Sequence, residues 1–282
     1  MGSYAVSLYP VLKAIKDMGE ITPTNDKQTK FVEKYLAFGD LENVPELQVW
    51  VSLDAEELNQ KLVGHGFQSR FSPFSSDQFG ILSLLEIALQ WLHAGESRVI
   101  NAQNNRKYSG VHLDEADTSI SVYRSWQHSH DVVSWRTKDD LTMVSVSFAD
   151  RPLLGFALFD YVASIMVGRS IIGYSGVIFP CVSLHCTENM QWLVNMQVGY
   201  NRVAQATQEN IIKMDEHGME VKSATEMVMV AMSAVAVPVV PQAYIIDRPF
   251  YLWLSRVDCS FPLMVAYIDY NSWIGADKRD VE

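Results

Sequence analysis

Two hydrophobic spacings divide the chain. Apolar residues at every second position mark strands at Leu47, Val49 and Val51, and again at Thr142, Val144, Val146 and Phe148. Helical spacing covers Tyr4 to Met18 and Asn25 to Phe38, with Ile21-Thr22-Pro23-Thr24 as the breaker and Asn25 or Thr24 placed to cap the second helix. A further helix is predicted over Ala55 to Leu62, capped from the Ser52 to Asp54 segment. The strongly apolar run from Ser76 to His93 reads as a long helix stopped by Gly95. Residues 111 to 175 read as a succession of strands, with a buried helix over Phe156 to Met166 as the competing reading. Pro180 falls in a strand, Glu188 to Met196 reads as a helix, and Tyr251 to Arg256 and Pro262 to Tyr270 read as a hairpin.

The most informative stretch is Ile211 to Leu254. A short strand leads to an acidic turn ending in Gly218, and a run of small and flexible apolar residues follows, broken by Pro238 and Pro241. Beyond Gly218 the pattern has period two. With Met219 inward, the inward set is Met219, Val221, Ser223, Thr225, Met227 and Met229, and the charges of Glu220, Lys222 and Glu226 all fall on the outward face. The segment is therefore built so that it can become a strand.

This order of elements resembles the serpin family, protease inhibitors in which a Glu-rich hinge with a glycine leads into an exposed reactive loop of small residues. The hinge is carried here by Glu216, Gly218, Met219, Glu220, Val221 and Ser223, and the return to the body by Asp247-Arg248-Pro249-Phe250. The Asn101-Ala102 pair is similar to the family's central-strand motif, without its following aromatic. The resemblance implies a single mixed α/β (α+β) domain over residues 1–282, with a large central sheet, a smaller barrel-like sheet, helices and a reactive loop at about 218–248. The helical part at about 1–95 is shortened or divergent. The Ser76 to His93 helix would lie across the main sheet. By family spacing the scissile bond, fourteen residues past Gly218, is Met232-Ser233, which suits a protease with an apolar primary pocket of elastase or chymotrypsin type. Met219 stands where inhibitory members carry Thr or Ser, so a non-inhibitory serpin-fold protein that binds a partner or ligand is the alternative reading.

Composition narrows the other classes. The 282 residues are 48% hydrophobic, 20% charged and 11% aromatic, enough to bury a sizeable core. A net charge of -11 disfavours nucleic-acid or anionic-membrane binding, which needs clustered Lys and Arg. The apolar run from Met227 to Val240 is too short to span a bilayer. Cys181, Cys186 and Cys259 are too few and odd in number for a disulfide framework. No secretory signal is visible, so the expectation is a cytoplasmic monomer if the chain is complete, and a secreted one if a signal has been removed.

Catalytic and metal chemistry finds little support. Gly173-Tyr174-Ser175-Gly176 lacks nucleophile-elbow spacing. Cys181 and His185 share a strand face but Cys186 points away, and no second ligand pair accompanies them. His128-x-His130 reads as a solvated turn, and Asp114-Glu115 and Asp139-Asp140 as exposed charges. With no Walker loop or dinucleotide fingerprint, the reading is a protein with no catalytic, metal or cofactor site of its own.

Overall fold

A computed structural model describes residues 3–16, 18–36, 44–76, 78–114, 119–139, 141–171, 173–222 and 242–277. The chain opens not on a helix but on a strand, β1 (Tyr4–Val6), followed by α1 (Tyr9–Lys16). Tyr4, Ala5 and Val6 pair with Tyr267, Ala266 and Val265 and are all buried, so a contiguous apolar triplet is satisfied as a strand covered on both faces. After β2 (Ile21–Thr22), Asn25 caps α2 (Asp26–Phe31) by accepting from the Lys27 and Gln28 amides at 3.1 and 3.0 Å, and a π-helical turn continues to Leu36. β3 (Leu47–Ser52) and α3 (Ala55–Gly64, capped by Asp54) follow as the spacing predicts.

The next element corrects the sequence reading. The run expected as a helix over Ser76–His93 is a strand, β4 (Gly80–Gln90). Leu82 and Leu84 pack under α3 with Leu58, Leu62 and Phe67, while Leu85, Ile87 and Leu89 enter the main core on the other face. The two halves of the strand bury opposite faces, so the alternation changes phase at Leu84-Leu85 and the run reads as nearly continuously apolar.

β5 (Glu96–Asn101) and β6 (Lys107–Asp114) form a hairpin. The Asn101-Ala102 pair therefore sits at the hairpin's turn, where Ala102 N–H donates to the Arg106 carbonyl, and not in the sheet of β3 and β4. A meander of β7 (Ile120–Ser125), β8 (Asp131–Arg136) and β9 (Thr142–Phe148) leads to α4 (Gly155–Ile165), whose Leu158, Phe159, Val162 and Ile165 are fully buried. β10 (Gly168–Ser170), β11 (Gly176–Pro180) and β12 (Val182–Asn189) come next. Glu188 lies in β12, so the helix expected over Glu188–Met196 shrinks to one 3₁₀ turn at Gln191–Leu193, because β12 stays paired to its neighbour through Asn189.

The C-terminal third adds β13 (Gln197–Val198), β14 (Asn201–Arg202), β15 (Thr207–Met214), β16 (Gly218–Lys222), β17 (Tyr244–Ile245), β18 (Phe250–Arg256) and β19 (Met264–Ile268). The molecule is a mixed α/β structure of several sheets. A seven-stranded sheet runs β1-β19-β18-β9-β8-β7-β10, a five-stranded one β12-β15-β16-β4-β3 and a four-stranded one β17-β11-β6-β5. Among the described residues the seven-stranded sheet is open, with β1 and β10 as its edges, and no closed barrel forms. A core containing Trp135, Phe179, Phe250 and Trp253 joins the sheets.

Candidate functional site: hinge and returning strand

Of the residues expected to form the hinge, Gly218 to Val221 lie in β16 of the five-stranded sheet and Glu216 in the turn before it. Asp215 turns the chain: its carboxylate accepts the His217 and Gly218 amides at 2.7 and 3.2 Å, and its own amide donates to the Gly218 carbonyl at 3.1 Å. The turn is tied to the end of β4, where Trp91 Nε1 donates to the Asp215 carbonyl at 2.8 Å and Gly95 N–H to that of Glu216 at 2.8 Å. Gly218 is required by close approach, since a β-carbon there would stand 2.0 Å from the Leu89 carbonyl oxygen.

From Gly218 the chain runs between two partners. On one side Met219, Glu220, Val221 and Lys222 face Met214, Lys213, Ile212 and Ile211 of β15, and on the other Leu89, Ala88, Ile87 and Glu86 of β4. Met219 and Val221 are buried, while the outward Glu220 stands 3.7 Å from Lys213. Period-two alternation through these residues is thus realised as a strand. Ser223 and the Met232-Ser233 bond lie outside the described residues.

The chain returns through β17 and the Asp247–Phe250 segment. The Asp247 carbonyl accepts from the Gln103 amide at 2.9 Å, joining the segment to the turn beside Ala102. Arg248 bonds Asp247 Oδ1 at 3.0 Å and lays its guanidinium 4.4 Å above the Phe148 ring. The Pro249 carbonyl accepts from the Ala149 amide at 3.0 Å, and fully buried Phe250 opens β18 opposite Phe148 and Ile268.

Below β16, the lower half of β15 is held by polar side chains that the sequence did not single out. Glu209, 8% exposed, accepts the amides of Gln68 and Ser69 at 2.8 and 2.6 Å and also bonds His185, so the segment after α3 is clasped to β15. Burial alone would raise the Glu209 carboxyl, but these hydrogen bonds outweigh it and hold the group below its ordinary range. Gln208 and Asn210 bond the backbone of Ser7 and Ala5.

Other sequence candidates resolve differently. His128 is not in a solvated turn. Its ring is buried, Nε2 lies 2.8 Å from Ser147 Oγ and Nδ1 2.8 Å from Tyr161 Oη, while His130 bonds Asp150 at 2.9 Å. Ser147 donates its hydroxyl to the Asp131 carbonyl at 2.6 Å, so it accepts from His128 Nε2–H, and Tyr161 donates to Nδ1. Although Asp150 lies 3.4 Å from Nδ1, Ser147 is fully buried with its proton committed, so the Ser-His-Asp grouping offers no nucleophile to a substrate. His185 is engaged by Glu209, Cys181 is buried, and burial pushes the Cys186 thiol up to about 11. Among the described residues no three His, Cys, Asp or Glu side chains converge on a metal site. Asp139 is not a free charge but organises the β8–β9 turn through the Leu141 and Thr142 amides. Glu115 and Asp140 lie outside the described residues.

No protein-family model matches the chain, and no curated protein matches it in sequence. Its architecture is nevertheless that of solved serpins. The cleaved form of Serpin 42Da matches with a TM-score of 0.62 at 10% identity, covering 95% of this chain and 90% of that one. A serpin from Schistosoma mansoni matches with a TM-score of 0.58 at 10% identity over 95% of both chains. Serpin48, a highly specific serpin of the insect Tenebrio molitor, gives 0.52 at 11% identity, covering 95% of this chain and 92% of its own. The chain has the serpin fold.

Proposed function

We propose that this single serpin-fold domain, residues 1–282, is a suicide-substrate inhibitor of a serine or cysteine protease, with Met232-Ser233 as the bond attacked. The observation that carries the reading is the position of β16. The strand that leads into the loop already runs between β15 and β4, in the direction the rest of the loop would follow. Continued at the same register, residues 223–226 fall opposite Asn210, Glu209, Gln208 and Thr207 of β15 and opposite Leu85, Leu84, Ser83 and Leu82 of β4. Inward Ser223 then meets the buried Leu85 side of the sheet.

The chemistry belongs to the target. Its nucleophile attacks the Met232 carbonyl, the Ser233 amine leaves, and the acyl-enzyme remains attached to the upstream half of the cut loop. Extension of β16 into the sheet then carries the attached protease away from the site of cleavage. The chain itself supplies a substrate-like loop over about 218–248, the glycine at which the strand turns in and the anchored Asp247–Phe250 return. An apolar primary pocket, of elastase or chymotrypsin type, suits Met232. The acting unit is a monomer.

The test is incubation with elastase and with chymotrypsin, followed by denaturing electrophoresis and mass spectrometry. An SDS-resistant band at the summed mass, with the cut after Met232, is the expected result. Clean cleavage without such a band favours the second reading, a serpin-fold binding protein, for which large Met219 at the entry of the strand speaks.

A further inference from the structure

The seven-stranded sheet ends in a three-residue edge strand, β10, whose pairing with β7 places two positive charges face to face. Arg169 lies directly opposite Arg124, with Gly168 opposite Ser125 and Ser170 opposite Tyr123. Like charges directly opposed on neighbouring strands are destabilising. Arg124 is compensated on its other side, where Nε donates to Asp131 Oδ1 at 2.7 Å, and Asp131 also accepts from Tyr174 Oη at 2.7 Å. Arg169 is exposed and forms no ion pair with any described residue. In a chain of net charge -11, Arg169 leaves this edge with one positive charge that no described residue offsets.

Two further features accompany the charge. Trp126 is 79% exposed and Val167 66% exposed, and extending the register by one residue sets them opposite each other, on the same face as the arginine pair. The Ile171 amide donates to the Val122 carbonyl at 3.1 Å, which fixes the phase of the ladder. Arg169 then exchanges its backbone bonds with Arg124, and the peptide groups of Gly168 and Ser170 point away from β7 toward an edge that no described strand pairs with. Gly168 makes the close pairing possible, because a β-carbon there would stand 2.3 Å from the Arg124 carbonyl oxygen.

We propose that β10 is a docking edge for an extended acidic segment of a partner protein, which adds as a further strand. Its backbone would bond the outward peptide groups of Gly168 and Ser170, a carboxylate would bridge Arg169 and Arg124, and an apolar side chain two positions along would cover Trp126 and Val167. A lone edge arginine would be enough to deter aggregation. Opposed arginines beside an exposed tryptophan go beyond that need and supply a charge to be neutralised next to a surface to be buried. A second copy of the chain is a poor occupant, since antiparallel pairing of two β10 strands about residue 169 would add two more guanidinium groups to the row. The proposal is independent of the inhibitory reading, because β10 lies in a different sheet from the hinge.

The experiment pans a random heptapeptide phage library against the immobilised full chain, then measures the selected peptides in solution against the wild type, R169E and the distant control K27E. Acidic peptides with alternating apolar residues are expected, with affinity falling roughly tenfold or more in R169E and unchanged in K27E. Amide exchange on adding the peptide should slow at Gly168 and Ser170. Circular dichroism of R169E, a surface change, verifies that it folds. Recovery of no acidic sequence, equal binding by R169E, or protection at another element would overturn the proposal. So would sedimentation showing that the chain pairs with itself through this edge.

Discussion

Gly218 passes so close to β4 that a β-carbon on it would stand 2.0 Å from the carbonyl oxygen of Leu89. The contact is backbone against backbone, so no side-chain rotation can relieve it. Gly218→Ala is expected to push β16 out of register and cost about 1–3 kcal/mol, the scale of overpacking a filled site. Urea unfolding checks the loss, and amide exchange at Met219 to Lys222 checks that it lies in β16. Wild-type stability with unchanged protection would contradict the account.

Glu209 is expected to hold the segment after α3 against the sheet. Glu209→Ala leaves the Gln68 and Ser69 amides without their acceptor, a loss of about 1–3 kcal/mol. Faster exchange at Gln68 and Ser69, with little change in β18 and β19, is the local mark of that loss.

The fold is expected to weaken with acid in two stages. Burial pushes the His128 imidazole below its ordinary 6.5, so the unfolded chain binds this proton first as the pH falls past that value, and stability declines. Glu209, held below its ordinary 4.5, contributes stability that is present above that value and lost as the pH falls through its depressed one. Melting temperatures across the acid range check both stages: His128→Gln should flatten the upper one and Glu209→Gln the lower.

Leu85 is expected to behave as a central-strand residue. It is fully buried opposite Leu47, and Leu85→Ala should cost about 2–5 kcal/mol by urea unfolding. A loss well below that range would contradict its place in the core.

These residues also show what a sequence reveals. The strand after Gly218 was legible because β16 has one buried and one partly open face, so buried Met219 and Val221 flank the outward Glu220. β4 was misread because its two halves bury opposite faces, Leu82 and Leu84 against α3 and Leu85, Ile87 and Leu89 in the main core, so the alternation changes phase at Leu84-Leu85 and the apolar run suits a helix equally. β1, an apolar triplet buried on both faces, shows no alternation and reads as part of the following helix. His128 gave no signal, since its partners Ser147, Asp150 and Tyr161 lie 19 to 33 residues away and meet it only through the meander and α4. Glu209 likewise finds Gln68 and Ser69 across 141 and 140 residues of chain.

The most direct test of the central claim is a thermal melt of the chain before and after a single cut at the proposed Met232-Ser233 bond, with both fragments retained. If the freed segment continues β16 between β15 and β4, the cut chain gains strand pairing and buried surface, and its Tm rises well above that of the intact chain. A Tm that stays level or falls would show that the loop does not enter the sheet, and the inhibitory mechanism would be wrong.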